Sequence, residues 1–408
     1  MHFTTFAQIP IMIQLSERLL AMEESATIAM AKKSRELKTQ GKDVISLSLG
    51  EPDFHTPEFI KDAAVQALKD NYTTYTPVPG YDDLRESISR KFLRDNNLSY
   101  SKEQIVVSTG AKQSIANLVL SLINPGDEVI IPAPYWVSYL EIVKVAEGVP
   151  VVISAGIDKD FKITGAELEA AITPKTKMLM FSTPCNPTGS VYTKEELQDI
   201  ARVLAKYPQV IAMSDEIYEH INFIGKHESL AQFPEIYNQV VTVNGVSKAW
   251  AMTGWRLGYI GAPKEIAAAC DKVQGQFTSA TCSITQRATI AAMDADPAIL
   301  KDMIAAFESR RNLVIKGLRN IPGLKVNNPG GAFYVFPDCS AYFGKTFNGK
   351  TISNSDELCM YLLEDALVAC VGGAAFGDPN CFRISYAASE ETLQKAVDRI
   401  AAALAKLN

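Results

Sequence analysis

Seven short apolar segments, separated by longer stretches with helical periodicity, constrain the fold of this 408-residue chain more than any other feature. Most of them are apolar at every position, which is typical of strands that are covered by helices on both faces of a sheet. We therefore predict an α/β fold with a mostly parallel seven-stranded sheet flanked by helices. The predicted strands are residues 105–108, 128–132, 149–154, 177–182, 209–214, 240–245 and 257–262.

The pattern changes towards the carboxyl terminus. A long helix predicted at about 297–319 is followed by a strand pair, GAFYVFPD and CFRISYA, and by two more helices. This succession is typical of a smaller α+β unit. We expect residues 301–408 to form a small domain together with an amino-terminal arm at 1–49, and residues 50–300 to form a large domain.

Composition and charge exclude several classes of protein. A hydrophobic share of 47% indicates a folded chain, and a net charge of −6 gives no basic surface for nucleic acid or anionic membranes. No apolar run could span a bilayer, and the amino-terminal sequence lacks the features of a secretion signal. The seven cysteines are scattered and the four histidines have no ligand spacing. We therefore expect reduced thiols, no metal and a cytoplasmic protein.

Polar segments follow four of the predicted strands. Because the carboxyl ends of parallel strands meet at one edge of a sheet, where open α/β folds bind ligands, these segments should lie close together. The sequence therefore predicts one binding site at this edge. The four segments are TGAKQ at 109–113, TPCNPTG at 183–189, DEIY at 215–218 and VSK at 246–248.

Taken singly, the residues of these segments have simpler interpretations. Lys248 could be a surface charge, Asp215 a helix N-cap and Asn186 a turn residue. Arg383 lies in the strand-like FRISYA, so it must either point outward or pair with an anion.

Taken together, these residues indicate a site for pyridoxal phosphate (PLP). The amine of Lys248 can form a Schiff base with the cofactor's aldehyde, and the carboxylate of Asp215 can hold a proton on the pyridine nitrogen. Tyr218 and Asn186 can donate hydrogen bonds to the ring oxygen.

The remaining needs of that cofactor are an anion site for its phosphate and an aromatic face over its ring. The backbone amides of the run Gly110-Ala111-Lys112 open a predicted helix and can bind the phosphate together with Ser247 and Arg256. Trp136, in PAPYWVSY, is the candidate for the aromatic face.

The chain resembles the fold-type I, class I aminotransferases, and it is most similar to the bacterial aspartate aminotransferase branch called subgroup Ib. The resemblance extends from about Glu24 to Leu407. It is carried by the motifs SLSLGEPDFHTP, YTPVPGYDDLRE, STGAKQSIANL, PGDEVIIPAPYWVSY, TPCNPTG, SDEIYEHI, VNGVSKAWAMTGWRLGYIGAP, PGGAFYVF and FRISYA.

The resemblance implies roles for the residues that match these motifs. Lys248 would be the Schiff-base lysine and, once released, the proton shuttle of a PLP-dependent ping-pong reaction. Arg383 would grip the α-carboxylate of the amino-acid or 2-oxo-acid substrate, with Trp136, Asn186 and the Gly50 backbone nearby.

The resemblance also implies a homodimer and a dicarboxylic substrate. Tyr75 would reach the phosphate site of the neighbouring subunit, while Lys112 and Thr27 would bind the distal carboxylate of aspartate or glutamate. The stretch QFTSATCSITQ departs from the family pattern, in which a turn containing serine and proline contributes to the partner's distal pocket.

Three activities fit these residues. An aspartate:2-oxoglutarate aminotransferase is the leading interpretation, and an aromatic, kynurenine or prephenate aminotransferase and a PLP-dependent C–S lyase are the alternatives. The GWRLGY segment and Lys112 favour transamination over the lyase reaction. Two residues within or next to DEIY, Glu216 and His220, are expected on a helix surface.

Overall fold

The computed structural model describes residues 13–408, so the first twelve residues of the predicted amino-terminal arm lie outside the described residues. A seven-stranded sheet lies at its centre, with strand order β2-β8-β7-β6-β5-β3-β4. The strands are β1 (Ile45–Ser46), β2 (Ile105–Ser108), β3 (Glu128–Ala133), β4 (Val149–Ser154), β5 (Thr176–Ser182), β6 (Ile211–Asp215), β7 (Val240–Gly245), β8 (Gly258–Gly261), β9 (Tyr334–Val335), β10 (Thr346–Phe347), β11 (Lys350–Thr351), β12 (Val368–Ala369), β13 (Val371–Gly372) and β14 (Phe382–Ser385).

The predicted α/β fold is confirmed, because all seven predicted strands form and most of them run parallel. Only β8 is antiparallel to its neighbours, β2 and β7. The sheet is buried on both faces, as the apolar segments require. Along β5, for example, Leu179 and Phe181 belong to one apolar cluster and Met178 and Met180 to another on the opposite face.

Helices cover both faces of the sheet. Those of the α/β units begin with side-chain caps where the sequence provides them, such as the capping boxes Thr164/Glu167 and Thr193/Glu196. The helices are α1 (Glu17–Leu20), α2 (Ala26–Thr39), α3 (Glu58–Lys69), α4 (Asp82–Lys91), α5 (Ala111–Leu122), α6 (Ser138–Val145), α7 (Gly165–Ala171), α8 (Lys194–Leu204), α9 (Lys264–Phe277), α10 (Ser283–Asp294), α11 (Lys301–Arg319), α12 (Ser355–Tyr361) and α13 (Glu390–Leu404).

A third apolar cluster lies beside the seven-stranded sheet. It combines Leu47, from the amino-terminal part of the chain, with Phe307 and Leu318 of α11 and Ile400 of α13. Its small antiparallel sheet has the order β13-β14-β9, and it also takes in Tyr218 from the turn that follows β6. The end of β6 is therefore held between the central sheet and this cluster.

Two observations bear on the environment of the chain. Over residues 13–408, no helix combines the length and the apolar character that crossing a membrane would need. The seven cysteines all lie within that range and are unpaired, and six of them are buried.

Candidate active site

A cavity of about 450 Å³ lies at the carboxyl edge of the central sheet. Its walls come from the segments after β2, β5, β6 and β7, which are those that carry the predicted polar clusters. Of the predicted site residues, the structure brings together in its wall Thr27, Gly50, Ala111, Lys112, Trp136, Asn186, Asp215, Tyr218, Ser247, Lys248, Arg256 and Arg383. Gly110 lies directly behind this wall, and Tyr75 does not reach it.

Lys248 presents a partly buried amine to the cavity. Its Nζ donates a hydrogen bond to the carbonyl oxygen of Gly50 at 2.6 Å and lies 5.7 Å from the centre of the Tyr218 ring. Burial, assisted by the positive charge of Arg383 and opposed by Asp215, lowers the pKa of Lys248 to about 8. The amine therefore loses its proton more readily than an ordinary lysine, which suits a nucleophile or base.

Asp215 ends β6 with its carboxylate in the cavity wall. One oxygen accepts a hydrogen bond from the hydroxyl of Tyr139 at 2.7 Å, and the other accepts one from the backbone amide of Ile217 at 3.2 Å. Burial nevertheless dominates and raises the pKa of Asp215 to about 6. A carboxylate in this setting can hold a proton on a cationic ring nitrogen that approaches it.

Tyr139 is a site residue that the sequence analysis missed. It lies on α6, three residues after Trp136, and the two rings meet edge to face with centroids 5.5 Å apart. The signal in the sequence was only the spacing of three residues between Trp136 and Tyr139, which a turn with a hydrogen bond from Tyr139 N to Trp136 O at 2.9 Å brings together. An aromatic pair with this spacing is also typical of a core, so only the structure connects Tyr139 with Asp215.

Arg383 is a buried cation without a protein anion. It lies on β14, the central strand of its sheet, and it is 2% exposed. Its guanidinium donates to Asn186 Oδ1 at 2.8 Å and to the carbonyl of Ser48, and it lies between the rings of Tyr334 and Phe376.

The guanidinium has capacity for one more partner. Arg383 Nε has no hydrogen-bond partner among the described residues, and no carboxylate there is within ion-pair distance of the side chain. Burial also lowers the pKa of Arg383. A buried, uncompensated guanidinium is costly, so it indicates a site for an anionic ligand.

A second anion site lies at the start of α5. The helix has no side-chain cap, and its N-cap residue Gly110 has a positive φ of 84°. A Cβ at Gly110 would collide with Arg256 Nη2, and the positive φ also favours glycine, so glycine lets the arginine approach the helix terminus. Together with Ser247, these free amides and this guanidinium can bind a phosphate group.

Two further residues of the cavity wall, Lys112 and Thr27, have few partners. The Nζ of Lys112 lies 4.9 Å from the centre of the Trp136 ring, and burial together with the nearby Arg256 lowers the pKa of Lys112. The Oγ1 of Thr27 is buried and has no hydrogen-bond partner among residues 13–408.

Tyr75 lies on a protruding segment and is 98% exposed, the most exposed large hydrophobic side chain in the described chain. The segment is anchored to α10 by Ser283, whose hydroxyl donates to the Tyr72 carbonyl at 2.6 Å, and by Gln286, which donates to Thr76 Oγ1 at 3.0 Å. The stretch QFTSATCSITQ, which departs from the family pattern, thus supports the segment that carries Tyr75.

Comparison with known proteins agrees with this geometry. The chain belongs to the class I and II aminotransferase family, whose model matches residues 42–400. It is 47% identical over 397 residues to the bifunctional aspartate aminotransferase and glutamate/aspartate-prephenate aminotransferase of Petunia hybrida, covering 96% of this chain and 83% of that one. It is 48% identical over 396 residues to a probable aspartate/prephenate aminotransferase of Rickettsia bellii, covering 96% of this chain and 99% of that one.

Solved structures give the same family. The aspartate aminotransferase of Rhizobium meliloti superposes with a TM-score of 0.94 at 44% identity, over 97% of this chain and all of that one (100%). The Thermus thermophilus aspartate aminotransferase with maleate superposes with a TM-score of 0.90 at 42% identity, over 96% of this chain and 100% of that one.

Proposed function

We propose that this protein is a PLP-dependent aminotransferase that moves the amino group of aspartate to 2-oxoglutarate, giving oxaloacetate and glutamate. The observation that carries the proposal is the meeting, in one cavity, of the amine of Lys248 with the buried guanidinium of Arg383 and the carboxylate of Asp215. The amine and carboxylate serve the cofactor, and the guanidinium serves the substrate.

The residues present fit PLP. Asp215 faces the cavity where a pyridine nitrogen needs an anion, and the free amides of α5 with Arg256 and Ser247 suit a phosphate. The fit is supported by Gly110, since any side chain there would displace Arg256 from the helix terminus. PLP, when bound, supplies an electron sink and carries the amino group between substrates.

Within that chemistry, the chain's own residues bind, orient and move protons. The Nζ of Lys248 takes and returns the proton at the substrate α-carbon, and its lowered pKa suits that exchange. Tyr218, whose hydroxyl is 2.8 Å from that of Tyr334, and Asn186 would hold the ring oxygen of the cofactor. Trp136 covers the ring.

Two cationic groups, those of Arg383 and Lys112, suit the two carboxylates of a dicarboxylic substrate. Arg383 binds the α-carboxylate and is already oriented by Asn186. Lys112 and Thr27, which line the same cavity, bind the distal carboxylate. The relatives named for aspartate, and the Thermus thermophilus structure with the dicarboxylate maleate, support this assignment.

Prephenate is a second candidate amino acceptor. It also carries two carboxylates, and the Petunia hybrida and Rickettsia bellii relatives are named for it. The same two cationic groups would bind it.

A panel of half-reactions tests the proposal. The purified protein, loaded with PLP, is mixed with aspartate, glutamate, alanine or phenylalanine while the visible absorbance band of the bound cofactor is followed. We expect aspartate and glutamate to bleach the band fastest, and 2-oxoglutarate to restore it. Restoration by prephenate would add the second activity. If no donor bleaches the band, the protein is not an aminotransferase.

We further propose that the active unit is a homodimer in which Tyr75 completes the partner's phosphate site. Support comes from the exposure of Tyr75 and from the apolar side chains of Leu68 and Phe277, which are also exposed. Mixing Tyr75→Phe with Lys248→Ala subunits should create one intact site per hybrid dimer and restore activity. No recovery after verified subunit exchange would mean that Tyr75 acts only within its own subunit.

The domain boundaries and the cellular compartment that the sequence predicts also remain proposals. We propose that residues 50–300 bind the cofactor and that 301–408 with 1–49 form the small domain, which is supported by the apolar cluster shared by Leu47, Phe307 and Ile400. The unpaired cysteines favour a cytoplasmic location.

A further inference from the structure

The turn that follows β6 has two faces. Asp215 and Tyr218 face the cavity, while Glu216 and Glu219, each one residue further along, are buried in the opposite direction. The prediction that Glu216 and His220 lie on a helix surface is wrong: Glu216 is fully buried, and the His220 side chain is 16% exposed. The segment is a succession of turns, so its side chains do not follow a helix period.

Glu216 ties the turn to the loop at residues 227–229. One carboxylate oxygen accepts hydrogen bonds from Ser214 at 2.9 Å and from Ser229 at 2.7 Å, and the other is paired with His227 Nε2 at 2.9 Å. Burial opposes a charged ring on His227, but the carboxylate of Glu216 outweighs it and raises the pKa of His227. All four side chains are buried.

Glu219 ties the same turn to the end of α4. One oxygen is paired with the ammonium group of Lys91, which is 1% exposed, and the other accepts from Asn96 Nδ2 at 2.7 Å. Lys91 also donates to Asn96 Oδ1 at 2.8 Å. Asn96 reaches this position because α4 ends in a π-helical turn, Phe92–Asn96. Asp95 and His220 complete the surroundings of the pair.

A metal ion is the obvious alternative occupant, because ligand atoms of Glu216, Glu219 and His227 lie within 4.8 Å of one another. The hydrogen bonds argue against it. Each of the four carboxylate oxygens already accepts from a serine, histidine, lysine or asparagine, and the ammonium of Lys91 supplies the positive charge. All four carboxylate oxygens are therefore occupied by protein donors, while His227 Nδ1 has no partner among the described residues. We name these five residues the anchor cluster: Lys91, Asn96, Glu216, Glu219 and His227.

We propose that Glu216 and Glu219 are positioning residues that set the placement of Asp215 and Tyr218 in the cavity. This inference rests on the proposed function, since it concerns how those two residues meet PLP. The two anchored residues alternate with the two cavity residues, and a hydrogen bond from Glu219 N to Glu216 O at 2.9 Å closes the turn between them. The hydrogen bonds that hold Glu216 and Glu219 on the side away from the cavity therefore also fix the separation of Asp215 and Tyr218.

The consequence of loosening the anchor cluster follows from the hydrogen bonds in the cavity. Tyr218 donates to the ring oxygen only if its hydroxyl is correctly placed, and such a bond favours the deprotonated form of the bound cofactor. Displacing Tyr218 should therefore raise the apparent pKa of the cofactor's visible absorbance band. Since small displacements of a reacting group are costly, kcat should fall while substrate binding at Arg383 persists.

Full-length protein loaded with PLP is used to test this. Glu216→Gln keeps the side-chain volume but removes the charge that faces His227. The double variant Lys91→Met/Glu219→Gln removes the other ion pair without leaving an unpaired buried charge, so it covers the case in which a single variant fails to fold. We expect the band pKa to rise by about one unit. We expect kcat to fall by about tenfold to a hundredfold, with little change in KM for aspartate.

Leu204→Ala is the matched control, because Leu204 is fully buried on α8 but does not line the cavity. It should lower the Tm of the apoprotein without moving the band pKa. If the anchor variants lose as much Tm as Leu204→Ala and their band pKa and kcat change no more than those of Leu204→Ala, the positioning inference is overturned. If instead the wild-type protein forms no visible band and transfers no amino group, the proposed function has failed.

Discussion

The polar groups around Lys248, which we call the lysine end of the cavity, have defined partners. Lys112 and Thr27, which we call the far end, have few. Lys248 donates to the Gly50 carbonyl, and Asp215 accepts from Tyr139. Lys112, by contrast, lies only over the Trp136 ring, and Thr27 Oγ1 has no partner among residues 13–408. Both ends belong to the same cavity, so the difference is one of local organisation rather than of burial alone.

The difference suggests that the two ends of the cavity have different functions. Groups that carry out a fixed chemical step benefit from being held in place before the substrate arrives. Groups that recognise a variable part of the substrate can complete their hydrogen bonds when it binds. We therefore expect substitutions at the lysine end to affect every substrate alike, and substitutions at the far end to separate substrates from one another.

Asp215→Asn should produce the largest effect. The amide cannot hold a proton on the cofactor's ring nitrogen, so kcat should fall by several orders of magnitude for every donor while the fold persists. If Asp215 acted only as a turn cap, the substitution would lower the free energy of unfolding by about 1 kcal/mol and leave turnover nearly normal. Steady-state kinetics and thermal unfolding of the same variant distinguish the two outcomes.

Lys112→Ala should have a smaller and selective effect. Loss of a hydrogen bond to a charged group should reduce kcat/KM for aspartate and glutamate by a factor corresponding to about 1–3 kcal/mol. Alanine and phenylalanine, which lack the distal carboxylate, should be affected little. Equal losses across all donors, accompanied by weaker PLP binding, would assign Lys112 to the phosphate site and remove the contrast between the two ends.

The smallest effect concerns the pKa of Lys248 in the apoprotein. Only the neutral amine reacts with a small acylating reagent, so its reactivity should rise with pH through a midpoint of about 8. Because the charge of Asp215 raises the pKa of Lys248, Asp215→Asn should move that midpoint lower. Competitive labelling against the surface lysines provides the measurement. A midpoint near the ordinary lysine pKa of about 10.4 would mean that the amine is not buried as described.

The sequence predicted the sheet well, and it indicated which polar segments meet at one cavity, for physical reasons. Segments such as KMLMFS are apolar on both faces, which leaves few alternatives to a covered strand. Helix α6 was not predicted, because its sequence SYLEIVKV is short and contains three β-branched residues, so packing against the sheet decides its conformation.

Contacts between distant parts of the chain could not be predicted. The hydrogen bond from Tyr139 to Asp215 joins residues 76 positions apart. The burial of Glu216 depends on the turn that it enters and on Ser229 and His227 in the following loop. Neither contact has a pattern in the sequence, because hydrophobic periodicity says which face is buried but not which polar side chains meet there.

The most direct test of the central claim is to find which lysine carries the cofactor. Borohydride reduction of the yellow PLP-loaded protein, followed by proteolysis and mass spectrometry, should place the label on Lys248 alone. Lys248→Ala should bind PLP without that covalent link and lose turnover by several orders of magnitude. A label on a different lysine, or no label on wild-type protein that has visibly bound PLP, would contradict the assignment of Lys248.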